Sequence, residues 1–112
     1  ARRAGRPVTI SFTPHLIPMD RGIFSTIYAK PTRPVTEGDV LAEARRFYEG
    51  KPFVRVKAGL PATKDTAHTN FLDVTYRVVR GTVVALAVED NLVRGASGVA
   101  VQNFNRLMGY PE

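Results

Sequence analysis

The run from Phe71 to Val88 constrains this chain more tightly than any other part of it. Residues 71–79 (FLDVTYRVV) alternate, with Leu72, Val74, Tyr76 and Val78 on one side and Asp73, Thr75 and Arg77 on the other. That period of two is the mark of a β-strand. Arg80-Gly81 then leads into a second β-branched run, Thr82 to Val88 (TVVALAV). A two-residue link containing glycine can adopt the positive φ that a tight hairpin turn demands. The second run is apolar on both sides, so it is expected to lie centrally in a sheet, covered on both faces or by a partner.

The other elements follow from their own patterns. Val8 to Thr13 (VTISFT) alternates and reads as a strand, as does Ile23 to Ala29 (IFSTIYA). Between them Pro14 and Pro18 bracket an irregular segment, because proline fixes φ and lacks an N–H. Thr36 with Asp39 three residues on forms a short capping box for a helix whose apolar stripe is Val40, Leu41, Ala44, Phe47 and Tyr48. Gly50, as the left-handed C′ residue, and Pro52 end it. Phe53 to Val56 is a short strand, and Lys57 to Asn70, rich in Gly, Pro and small polar residues, is a long loop of the kind that often carries function. A second helix runs from about Ser97 to Met108, with Ala100, Phe104, Leu107 and Met108 as its apolar stripe and Gly109 and Pro111 as its stop. The sum is an α+β fold: a mixed, largely antiparallel sheet with helices packed on one face.

Composition narrows the function. The 112 residues are 44% apolar and 23% charged, as in a folded domain. No apolar run approaches the roughly 18 residues of a membrane span, and no secretory signal is visible. There is no cysteine, which excludes disulfides, Cys-ligated metals and a thiolate nucleophile from this chain. The formal charge is +6, carried largely by 12 arginines spread along the sequence, with one cluster at Arg2, Arg3 and Arg6. Scattered charge is first of all a solvated surface, though it also suits anionic ligands. The only histidines, His15 and His68, are far apart and have no metal-ligand spacing, so no metal site is expected.

Three local features carry chemistry. His15 sits in the proline-bracketed segment. Gly95 and Gly98 lie at a strand-to-helix junction, where backbone amides can approach a ligand or where the glycines serve only tight packing. Asn91 has an amide that donates and accepts at once, which suits recognition of another amide; a turn-forming Asn is the plainer alternative. His68 reads as an exposed loop residue.

Taken as strings, these pieces resemble a known family. Asp90 to Asn105 (DNLVRGASGVAVQNFN) is similar to the C-terminal signature of the N-acetyl-gamma-glutamyl-phosphate reductase family, and Ser11 to Ile23 (SFTPHLIPMDRGI) is similar to a second motif of that family. Glu49 to Val56 (EGKPFVRV) and Leu60 to Lys64 (LPATK), followed by Thr69-Asn70, agree in order. The resemblance implies a cytoplasmic, NADP-dependent enzyme of arginine biosynthesis in the semialdehyde dehydrogenase superfamily, acting on an acyl phosphate as a homo-oligomer, a dimer or tetramer. In such enzymes a cysteine thiolate attacks the acyl phosphate, phosphate leaves, and hydride reduces the thioester. The resemblance also implies that residues 1–112 are one domain, the C-terminal substrate-binding and dimerisation portion. The dinucleotide-binding domain, the nucleophilic cysteine and the catalytic histidine would then lie outside this chain. It places Asn91, Gly95 and Gly98 near the cofactor, and Arg21 with His15 at the anionic end of the substrate. Val99 and Asp20 depart from the residues common in the family, Gln and Asn.

Two other readings compete. A carrier-protein-linked aminoadipyl- or glutamyl-phosphate reductase, or another semialdehyde dehydrogenase, would share the chemistry and change the substrate. A small basic nucleic-acid-binding domain would suit the pI near 10.2. No RNP-like strand or basic recognition helix accompanies it, so neither nucleic acid nor membrane is expected as a partner.

Overall fold

The hairpin organises the rest of the chain. In a computed structural model that describes Gly5 and residues 7–112, strands β3 (Leu72–Val79) and β4 (Thr82–Glu89) pair antiparallel, closing at Val79 opposite Thr82. The turn residues Arg80 and Gly81 have φ of 49° and 74°, the two positive values of a type I′ turn. Strand β1 (Ile23–Ala29) pairs antiparallel with the other edge of β4, and the three-residue β2 (Val54–Val56) pairs parallel with β3. The sheet order is therefore β1-β4-β3-β2, with the two-sided apolar strand inside, as its composition requires.

Helix α1 (Glu37–Phe47) begins with the expected capping box: the Thr36 hydroxyl accepts from the Asp39 amide, and the Asp39 carboxylate accepts from the Thr36 amide. Leu41 and Ala44 on its stripe are buried, and the helix rests on β3 and β2. Gly50 is left-handed, with φ 70°, but one position later than expected, because Tyr48 is the C-cap and Glu49 takes C′. The long loop 57–70 contains one short 3₁₀ turn, Thr63–Asp65, and lies over the polar side of β3. There Asp73 and Thr75 are fully buried, with the Arg55 guanidinium 2.5 Å and the Lys57 ammonium 3.2 Å from the Asp73 carboxylate. Arg77 donates to the Ala58 carbonyl at 2.8 Å.

Two expectations change. Residues Val8 to Thr13 do not form a strand: Ile10 and Phe12 are 79% and 84% exposed, and no described strand pairs with this segment. Alternation favours an extended backbone, but a strand exists only where a neighbour completes its hydrogen bonds. Helix α2 (Gly98–Met108) ends at left-handed Gly109 as expected, yet its apolar stripe is left uncovered by the described residues. Leu107 is 86% exposed, and the principal contact of α2 is with its own lead-in, a single π turn over Val93–Ser97. The cluster Arg2, Arg3 and Arg6 lies outside the described residues. Among the described residues, no helix is long and apolar enough to cross a membrane.

Candidate functional site

Sheet register builds the site. Glu89, the last residue of β4, stands opposite Ile23, the first of β1, and opposite Leu72, the first of β3. The residues just before those strands, Arg21-Gly22 and His68 to Phe71, must therefore meet Asp90-Asn91 at one end of the sheet.

Asp90 is the centre of this meeting. Its carboxylate is fully buried and accepts five hydrogen bonds. Oδ1 accepts from the Leu92 and Val93 amides, each at 2.8 Å, and Oδ2 accepts from the His68 amide at 2.6 Å. Arg21 Nη1 spans both oxygens, 3.1 Å from Oδ1 and 3.0 Å from Oδ2. Burial works to raise the Asp90 carboxyl, but the amides of His68, Val93 and Leu92, with the Arg21 guanidinium, outweigh it and hold the group well below the usual carboxylate range. The bonds to Leu92 and Val93 are those of a helix N-cap, here capping the π turn.

Around this centre the backbone is held closely. Asn91 Oδ1 accepts from the Gly22 amide at 2.8 Å, which commits the acceptor half of its amide and leaves Nδ2 as a donor. Gly22 has φ 112°, and a Cβ there would lie 2.9 Å from that of Thr63, so only glycine fits. The Gly95 amide donates to the Asp90 carbonyl at 2.8 Å. Gly98 has ordinary helical angles, but a Cβ on it would lie 2.7 Å from Asn70 Cγ and 3.0 Å from the Val93 carbonyl oxygen. Asn70 Oδ1, buried against it, has no hydrogen-bond partner among the described residues. His68 is held at φ 61°, a region costly for a side-chain-bearing residue.

Arg21, Asn91, Gly95 and Gly98 thus belong to one neighbourhood. His15 does not join it: it is exposed and makes no hydrogen bond or ion pair among the described residues. Sequence reasoning gives no site role to Asp90, Gly22, Thr63 or Asn70; His68 is the exposed loop residue expected from the sequence and contributes only its backbone amide. Asp90 alone had a local signal, an Asx residue directly after a strand and before a glycine-containing turn.

Asn91 Nδ2 is the donor left for a ligand amide at this end of the sheet. The Gly98 amide donates to the Val93 carbonyl and the Asn70 side chain fills the space where a Cβ would stand, so the start of α2 offers neither a free amide at Gly98 nor an open cradle. No group of three or more His, Asp or Glu residues that could hold a metal occurs among the described residues. A separate, apolar cleft of about 430 Å³ lies between α1 and β3, lined by residues including Val40, Phe47, Tyr48 and Tyr76. Burial, followed by the neighbouring Tyr48 phenol, pushes the Tyr76 hydroxyl up to about 12.

The semialdehyde dehydrogenase dimerisation domain family matches residues 1–91. N-acetyl-gamma-glutamyl-phosphate reductase of Citrifermentans bemidjiense is 50% identical over 113 residues, covering 97% of this chain and 33% of that protein. The same enzyme of Desulforamulus reducens is 51% identical with equal coverage, and that of Pelotomaculum thermopropionicum is 50% identical over 115 residues. The chain spans about a third of the length of the curated relatives it matches. Aspartate semialdehyde dehydrogenase II of Vibrio cholerae, solved in complex with ASA, shares the fold at a TM-score of 0.59 and 18% identity, covering 77% of this chain and 26% of that one.

Proposed function

The chain belongs to the semialdehyde dehydrogenase family through its dimerisation domain, and from that premise we propose that residues 1–112 are the substrate-binding and dimerisation portion of a reductase. Its reaction is the NADPH-dependent conversion of N-acetyl-gamma-glutamyl phosphate to N-acetylglutamate semialdehyde in the cytoplasmic synthesis of arginine. Relatives named for that activity support the reaction at about 50% identity. The observation that carries the reading is the convergence of Arg21, Asn91, Gly95 and Gly98 at one end of the sheet around a buried, ionised Asp90.

The roles follow from the atoms available. Arg21 binds the anionic end of the substrate with the nitrogens that Asp90 leaves free. Asn91 donates from Nδ2 to the nicotinamide carboxamide, while Gly95 and Gly98 permit the tight packing of the turn that carries it, their own amides being bonded to the Asp90 and Val93 carbonyls. His15 has a weaker claim on the substrate, since no hydrogen bond or ion pair among the described residues holds it. The cofactor, bound mainly by a dinucleotide-binding domain elsewhere in the polypeptide, supplies the hydride. The thiolate also belongs to that other part, because this chain has no cysteine, and the resemblance to the family implies the same of the acid–base histidine. The net charge of +6 suits a dianionic substrate. Homo-oligomerisation, as a dimer or tetramer, would cover apolar surface such as Phe24, Ile27 and Tyr28 on β1.

NADPH oxidation by the full-length polypeptide tests the reading, with acetylated and carrier-linked acyl phosphates compared. Turnover of the acetylated substrate, with none from this chain alone, is expected. Preference for a carrier-linked substrate would move the protein to the aminoadipyl- or glutamyl-phosphate reductases, and oxidation by the isolated chain would refute the division of labour.

A further inference from the structure

We propose that Asp90 is a positioning residue for Arg21: it grips the guanidinium by one nitrogen, so that the opposite edge is presented as a rigid fork to a two-oxygen anion of the substrate. The inference rests on the functional reading above. An arginine free to choose its geometry meets a carboxylate with two parallel bonds from two nitrogens. Here Nη1 alone reaches both oxygens. Oδ1 is already taken by the Leu92 and Val93 amides and Oδ2 by the His68 amide, so the carboxylate cannot turn to offer a fork-to-fork pairing.

The remaining edge of Arg21, Nε and Nη2, makes no hydrogen bond among the described residues. The Arg21 side chain keeps 30% of its surface, whereas that of Asp90 keeps none. Both ends of Arg21 are immobilised. The head is held by Asp90, and the backbone one residue on is held by the bond from the Gly22 amide to Asn91 and by the close approach of Gly22 to Thr63. A fork fixed before the ligand arrives loses little freedom on binding. The three backbone amides account for the cap, and Arg21 adds the counter-charge that the buried Asp90 carboxylate needs, so the two groups fix each other.

The test is a double-mutant cycle in the full-length enzyme with Asp90→Asn, Arg21→Gln and the pair. Each single change is expected to raise KM for the acyl phosphate about tenfold or more while KM for NADPH stays within about twofold, the pattern of lost substrate binding. The double variant should be no worse than Arg21→Gln, because Asp90 acts through Arg21. Calorimetric binding of N-acetylglutamate, a stable carboxylate analogue, is measured in parallel and should weaken in all three variants. Independent, multiplying effects in the cycle, or an Asp90→Asn variant with lower Tm and unchanged KM, would overturn the proposal. If Asp90→Asn does not fold, Asp90→Glu replaces it, with a raised KM expected; failure of both to fold makes Asp90 architectural and also overturns it. A wild-type enzyme that binds N-acetylglutamate through Arg21 and Asp90 but does not turn over the acyl phosphate would refute the functional reading and leave the positioning role standing. No binding by the wild type would refute both.

Discussion

Replacing Gly98 with alanine sets two effects of opposite sign against each other. Gly98 has φ −67° and ψ −40°, ordinary helical angles, so its conformation does not require glycine. In a helix, alanine in place of glycine stabilises by about 1 kcal/mol. Against this, the new methyl would stand 2.7 Å from Asn70 Cγ and 3.0 Å from the Val93 carbonyl oxygen, the second of which is backbone and cannot rotate away. Overpacking costs about 1–3 kcal/mol, and two contacts this close, one of them to backbone, put this site at the upper end, about 2–3 kcal/mol. The steric term prevails, and a net loss of about 1–2 kcal/mol is expected. With a urea m value of about 2 kcal/mol/M, the midpoint should fall by about 0.5–1 M at unchanged m. The same change in an Asn70→Ala background should lose most of its penalty, because the larger of the two obstacles is gone. A Gly98→Ala protein as stable as the parent would refute the argument and leave the glycine without a packing reason.

His68→Gly is expected to stabilise the fold modestly. It relieves a left-handed residue at φ 61°, which costs about 1–2 kcal/mol, against about 0.5–1 kcal/mol of added freedom in the unfolded chain; a lower urea midpoint would contradict this. Acid sensitivity should trace to Asp90. Its folded carboxyl lies below the unfolded value of about 3.9, so its contribution is complete above that pH and is lost as pH falls towards the folded value. Titration of stability below about pH 4 should therefore be flatter in Asp90→Asn than in the parent, and parallel profiles would count against the buried carboxylate.

The elements that were legible share a property: their causes lie within a few residues of one another. The strand-turn-strand from Leu72 to Glu89 is readable because two strand-like runs flank a two-residue link whose glycine can take the positive φ of a tight turn, and the central place of β4 follows from its apolar character on both sides. The start of α1 was readable because Thr36 and Asp39 satisfy each other's backbone. Val8 to Thr13 has the same alternation as a strand and forms none, since alternation describes a surface and says nothing of a neighbour. The stripe of α2 is legible as a helix, but no described residue covers it. His15 drew attention because prolines bracket it, and the structure leaves it exposed.

Asn91 and Arg21 were singled out one at a time, and the residue that joins them was not. Arg21 and Asp90 are 69 positions apart, and His68 and Asp90 are 22 apart, so no window of sequence contains the contact. Turns, caps and strand periods are set by short-range sterics and hydrogen bonds, which the order of residues states directly. The carboxylate at the sheet's end takes its local amides from Leu92 and Val93 but gains Arg21 and His68 only after both neighbouring strands have locked opposite Glu89, and that register comes from packing the sheet rather than from any local preference.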